Sequence, residues 1–229
     1  MYINGLQKLT LLDFPGKLAA TVFFGGCNFR CPFCHNASLV LRPAEAEKIS
    51  EEQFFSFLKS RIGKLEGVCI TGGEPTLYTE LPSFIKKIKD MGFAVKLDTN
   101  GTGPDMLESL VSRGLIDYVA MDIKNSPEKY PLTSGVTNVD MSKIERSVAF
   151  LLSDKVDYEF RTTVVRELHT PADFLAISEW IKGAKRMFLQ SFKDSGDLIA
   201  QGFSGNCEEE MRAILDQILP NVPNAQIRG

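Results

Sequence analysis

The sequence predicts an α/β fold in which six β/α units, with parallel strands, curl into an open partial barrel. Two observations carry this. Short apolar β-type runs alternate with helix-type stretches along the chain, the pattern of a parallel sheet with right-handed crossovers. Each of the six runs also holds or ends in chemically unusual residues. In parallel α/β folds, ligands gather at the carboxyl ends of the strands. A flat sheet would spread six such ends along a crevice, whereas a curled one gathers them around one cavity. The chain has 229 residues, 44% of them hydrophobic, which suits a single domain. Residues 1–17 read as a segment leading into the fold, 18–195 as the β/α core and 196–229 as a C-terminal helical segment.

The expected strands are Ala19–Phe24, Gly67–Thr71, Ala94–Asp98, Tyr118–Asp122, Tyr158–Val165 and Met187–Ser191. They are short, apolar and rich in β-branched or aromatic residues. Ser50, with Gln53 three residues on, reads as a capping box. Phe54, Phe55, Leu58 and Ile62 follow on one helical face. A helix over Leu81 to Met91 gathers Phe84, Ile85 and Ile88, and Gly92 stops it. Pro104 opens a helix that ends near Gly114. Met141 to Leu152, Pro171 to Ile181 and Glu208 to Leu219 complete the helices.

A net charge of −3 lacks the basic excess of a general nucleic-acid binder. No run of 18 apolar residues is present, so no membrane span is expected. Residues 1–16 carry Asp13 and no continuous apolar stretch, unlike a secretory signal. Five cysteines without an export signal point to a reducing, cytoplasmic setting. Cys69, between Val68 and Ile70, reads as a small buried hydrophobe.

The other cysteines define the chemistry. Cys27, Cys31 and Cys34 follow Gly25-Gly26 and precede His35-Asn36. Thiolates suit iron–sulfur clusters and zinc. Spacings of four and three positions let one loop wrap a corner of a [4Fe-4S] cube, and only three sulfurs leave one iron open. Zinc with His35 as fourth ligand is the alternative, but adjacent Cys34 and His35 have poor bite for one tetrahedral ion. Coincidental structural cysteines are a third reading.

Gly72-Gly73-Glu74-Pro75 follows the second strand. The glycines can expose backbone groups, and Glu74 offers an anion to an ammonium group; a simple tight turn is the alternative. Asp98 and Asp122 end the third and fourth strands, and two carboxylates at one rim favour a cation or a shared proton between them. His169, in a loop before a helix, reads as structural.

Cys-x-x-x-Cys-x-x-Cys, with Phe33 before the last cysteine, resembles the signature of radical S-adenosylmethionine enzymes, and the resemblance covers nearly the whole chain. Gly72-Gly73-Glu74 matches that family's glycine–glycine–glutamate motif. Cys34-His35-Asn36, Asp98-Thr99-Asn100-Gly101, Asp122-Ile123-Lys124, Leu12-Asp13-Phe14-Pro15-Gly16 and Gly135-Val136-Thr137-Asn138 resemble the activating enzymes of glycyl radical enzymes. Activators of anaerobic ribonucleotide reductase look most alike, then those of pyruvate formate-lyase. A histidine common in the latter is replaced here by Lys193.

The resemblance implies a [4Fe-4S] cluster on Cys27, Cys31 and Cys34, with S-adenosylmethionine on its open iron. It implies Phe33 and His35 beside adenine and ribose, Asn36 as a cofactor contact, and Gly72, Gly73 and Glu74 at the methionine amino group. A monovalent cation is implied near Asp98 and Asp122. Thr99, Ile123, Arg161 and Gln190 are further cofactor contacts, with Lys124 and Asp122 in the catalytic set. The implied reaction draws an electron from a donor such as flavodoxin or ferredoxin, cleaves the cofactor to a 5′-deoxyadenosyl radical and takes hydrogen from a glycine of a partner glycyl radical enzyme. Radical chemistry on a small molecule or RNA base, or a non-catalytic iron–sulfur or zinc module, are the other readings.

Overall fold

A computed structural model describes residues 2–228. Met1 and Gly229, the outer bounds of the expected domain, lie outside the described residues. The chain begins with β1 (Tyr2–Ile3), β2 (Gly5–Thr10), β3 (Ala19–Phe24), α1 (Ala37–Leu41), β4 (Ile49–Ser50) and α2 (Glu51–Lys59). It continues through β5 (Gly67–Gly72), α3 (Leu81–Asp90), β6 (Ala94–Thr99), α4 (Pro104–Ser112), β7 (Tyr118–Asp122), α5 (Tyr130–Ser134) and α6 (Met141–Leu152). The last elements are β8 (Asp157–Val164), α7 (Pro171–Trp180), β9 (Met187–Ser191), α8 (Glu208–Ile218) and β10 (Ala225–Ile227).

The helices form where local chemistry favours them. Ser50 Oγ accepts from the Gln53 N–H at 3.2 Å, and Gln53 Oε1 accepts from the Ser50 N–H at 2.9 Å, which closes the capping box of α2. Phe54 and Leu58 are buried on its inner face, but Ile62 lies past the end of α2 and is exposed, contrary to the sequence expectation. Helix α3 buries Phe84, Ile85 and Ile88 and stops before Gly92, whose φ of +87° few other residues adopt.

Eight strands form one sheet in the order β10-β9-β8-β7-β6-β5-β3-β2. All neighbours run parallel except β2, which is antiparallel to β3. The six expected strands are its centre, and two unanticipated strands extend it. Residues 1–17 contribute the edge strand β2, and the tail carries β10 as well as α8. Among the described residues, the two edge strands do not pair with each other, so the sheet stays open.

The curl is visible at the amino ends of the strands. Buried Phe14 clusters with Ala19 of β3 and Tyr118 of β7, and Ala94 of β6 packs against them. A Cβ on Gly67 of β5 would lie 2.9 Å from the Phe14 ring. Neighbouring strands lie about 4.8 Å apart, so one ring reaches four of them only across a concave face. Phe14 thus plugs one end of the barrel, while the main apolar core lies between the sheet and the helices.

Candidate active site

At the other end, loops leaving β3, β5, β6 and β7 enclose a cavity of about 210 Å³. Cys27, Cys31 and Cys34 line it, together with Asp98, Asp122, Lys124 and Arg161. One wall is therefore sulfur and another is charge.

The sulfur wall is held by backbone. The Gly73 N–H donates to Phe24 O at 2.7 Å, and the Glu74 N–H donates to Gly26 O at 2.9 Å. The two glycine turns press together so closely that a Cβ on Gly73 would fall 1.8 Å from Gly26 O. Asn36 Nδ2 donates to Gly72 O at 3.2 Å, tying the far end of the cysteine loop to the same turn. The Arg30 guanidinium donates to Cys27 O at 2.5 Å and to Phe29 O at 2.7 Å.

Burial pushes the Cys31 thiol up to about 12 and raises Cys27 as well. Such desolvated sulfurs lose their protons only to an electropositive centre that takes the protons' place. Among the described residues, no group of three or more His, Cys, Asp or Glu residues could hold one metal ion. His35 instead packs its ring against Phe192, with centroids 5.3 Å apart. Three thiols on one cavity wall suit a multi-iron cube, which offers a separate corner to each. The donor set therefore fits the cluster better than zinc.

The charge wall is an unbroken alternation. Lys96 pairs with Asp98, Asp98 with Arg161 at 3.0 Å, Arg161 with Asp122 at 2.9 Å and Asp122 with Lys124 at 3.0 Å. The Arg161 guanidinium lies between the two aspartates and pairs with both. Burial alone would raise Asp122, but Arg161 and Lys124 outweigh it and hold its carboxyl down at about 2. Asp98 is likewise lowered by Arg161 and Lys96 against its own burial.

Phe33, His35, Asn36, Gly72, Gly73 and Thr99 all line the cavity. Burial lowers the His35 imidazole, which leaves it neutral near pH 7. Three of the expected contact residues do not line the cavity. Glu74 is fully buried behind the wall, and its carboxylate accepts from Thr76 N and Oγ1, Thr99 Oγ1 and Asn100 N at 2.6–3.0 Å. It braces the turn, and Gly72 and Gly73 are the residues of that turn that line the cavity. Ile123 points into the apolar core, because alternate residues of an extended chain face opposite sides and Asp122 and Lys124 take the cavity side. Gln190 lies away from the cavity wall; Thr163, its register partner on β8, lines it instead.

Some contributors carried no sequence signal. Lys96 is almost fully buried beneath Asp98, with its Nζ 3.6 Å from Cys69 Sγ. Asn100 stands in the run Asp98-Thr99-Asn100-Gly101, yet nothing in the sequence indicates that it reaches Cys27. His169 Nδ1 accepts from the Val165 N–H at 3.1 Å, and Nε2 lies 2.9 Å from Lys124 O, steadying the turn that presents Lys124. Lys193 is exposed beyond β9.

A sulfur-lined cavity at the carboxyl ends of an open parallel barrel defines a class of cluster-dependent enzymes. The sequence profile of the radical SAM superfamily matches residues 21–168. The chain belongs to that superfamily, and it is an enzyme of that class. It is 32% identical over 235 residues to a Methanocaldococcus jannaschii protein assigned as a glycyl-radical enzyme activating enzyme, covering 99% of this chain and 95% of that one. It is 33% identical to the pyruvate formate-lyase-activating enzyme of Clostridium pasteurianum, over 54% of this chain and 52% of that protein. Streptococcus suis SuiB bound to S-adenosylmethionine shares the fold at a TM-score of 0.69, with 13% identity, 91% of this chain and 52% of that one.

Proposed function

We propose that this enzyme activates a glycyl radical partner, with anaerobic ribonucleotide reductase the first candidate. The supporting observation is the pairing of three free thiols with a charged wall in one cavity, in a chain that aligns with almost the full length of a glycyl-radical enzyme activating relative. Cys27, Cys31 and Cys34 would hold a [4Fe-4S] cluster. The Gly72 and Gly73 backbone and Asn36 would take the methionine end of S-adenosylmethionine, and Phe33 with neutral His35 would flank its nucleoside end. When bound, the pair supplies one-electron chemistry and a primary carbon radical that takes a hydrogen atom.

The protein's own part is placement. Arg161 and Lys124 present positive charge to a carboxylate, while Asp98 and Asp122 keep those cations fixed. The buried Phe14 plug closes the opposite end of the barrel, so the ligand and the substrate loop share the carboxyl-end opening. A small flavin or iron–sulfur carrier of the flavodoxin or ferredoxin type would deliver the electron, in a reducing cytoplasm that suits five unpaired cysteines. No helix among the described residues is long and apolar enough to cross a membrane.

The test is anaerobic reconstitution, reduction, and mixing with S-adenosylmethionine and purified anaerobic ribonucleotide reductase. The expected result is a doublet glycyl electron spin signal on the partner. Cofactor cleavage without that signal on this or any other glycyl radical protein would overturn the substrate assignment.

A further inference from the structure

We infer that Asn100 sets the reduction potential of the cluster by donating a hydrogen bond to the sulfur of Cys27. This rests on the cluster assignment above but not on the identity of the substrate.

The side chain has only one available orientation. Asn100 Oδ1 accepts from the Thr102 N–H at 3.0 Å and from Thr102 Oγ1 at 2.7 Å. Its amide nitrogen must then face the other way, where it donates to Asn28 Oδ1 at 2.9 Å and lies 3.8 Å from Cys27 Sγ. Asn28 is itself held, since its Nδ2 donates to Thr102 Oγ1 at 2.8 Å. The backbone is fixed as well: the Asn100 N–H donates to Glu74 Oε2 at 2.6 Å. Asn100 is 5% exposed, so water does not compete for these groups.

Cys27 is treated differently from its two companions. Its sulfur also accepts from the Phe29 N–H at 3.3 Å. Among the described residues, no hydrogen bond reaches the sulfur of Cys31 or Cys34. Two N–H dipoles therefore point at one ligand of the three. Reduction adds one negative charge, which spreads onto the sulfurs. N–H donors stabilise that charge and raise the potential. The Phe29 donor is backbone and comes with the loop. Asn100 is the side-chain donor, and so the one a substitution can change.

The experiment is a redox titration of the reconstituted cluster in the absence of substrate, followed by the reduced electron spin signal. Asn100→Leu removes the donor. Asn100→Asp keeps both acceptor bonds from Thr102 and replaces the donor with an anion. The expected result is a more negative midpoint for Asn100→Leu and a larger shift for Asn100→Asp. A midpoint unchanged or raised in the variants overturns the inference. Should neither variant take up a cluster, the natural protein decides. With 15N-asparagine labelling, the reduced cluster should show hyperfine coupling to a side-chain amide nitrogen, and absence of that coupling overturns the inference. Failure of the unaltered protein to bind any cluster would instead sink the assignment on which this rests.

Discussion

The cysteine loop and the charged wall face one cavity but are built on opposite principles. The loop is short in sequence: residues 25–36 carry all three sulfurs, and backbone bonds to neighbouring turns hold it in place. The wall is long in sequence. Its five charges come from Lys96 and Asp98 on β6, Asp122 and Lys124 at the end of β7, and Arg161 on β8. Its order depends on strand register, with Asp122 directly opposite Arg161. The loop can therefore lose a sulfur and leave the fold alone. The wall cannot lose a charge without taking from a neighbouring ion one of the partners that offset its desolvation, which is costly.

That contrast can be broken by experiment. The largest effect expected is Cys31→Ala, which should abolish the brown, oxygen-sensitive absorption while the apo-protein melts close to the parent. A large fall in melting temperature would show that the loop is not separable from the fold. Lys96→Met should do the reverse. Leaving buried Asp98 with Arg161 as its remaining partner should cost about 1.5–3 kcal/mol by denaturant titration, and Lys96→Met/Asp98→Asn should recover part of it. If the double variant is no better than the single one, the wall is not held by charge pairing.

Gly73→Ala tests where the two regions meet. Its new Cβ would press on Gly26 O, so we expect about 1–3 kcal/mol of destabilisation together with reduced cluster uptake. Acid tests the wall alone. The Asp122 carboxyl is held near 2 in the folded chain, against about 3.9 unfolded. A depressed carboxyl stabilises the fold above its unfolded value and loses that contribution as pH falls. About 2 kcal/mol should therefore disappear between pH ~4 and ~2, and Asp122→Asn should flatten that part of the profile. The smallest effect is remote from both regions: Ser50→Ala removes the capping box of α2 and should cost about 1 kcal/mol with cluster uptake unchanged.

The same contrast explains what could be read in advance. The six central strands were legible because each is a compact apolar run bounded by turn residues. Strands β2 and β10 were not: Gly5–Thr10 has a mixed polar pattern, and Ala225–Ile227 is only three residues long. Both become strands because a neighbour already offers a free edge. Ile123 shows a reading that period-two alternation alone would have corrected, since it stands between two cavity-facing charges. Glu74 is different. Nothing in Gly72-Gly73-Glu74-Pro75 says whether the carboxylate faces a ligand or turns inward; Thr76, Thr99 and Asn100 decide that by arriving as donors from the next turn and the next strand.

The order of residues along the chain was enough to determine a trio of sulfurs on one loop, a glycine pair able to approach it and an alternation of strands and helices. Those features depend on spacing, and spacing survives in an extended polypeptide. Tertiary structure alone decided which side chain pairs with both aspartates, where Glu74 points and which amide reaches Cys27. These are contacts between residues tens of positions apart, and they exist only once the curl of the sheet and the register of its strands have set the distances.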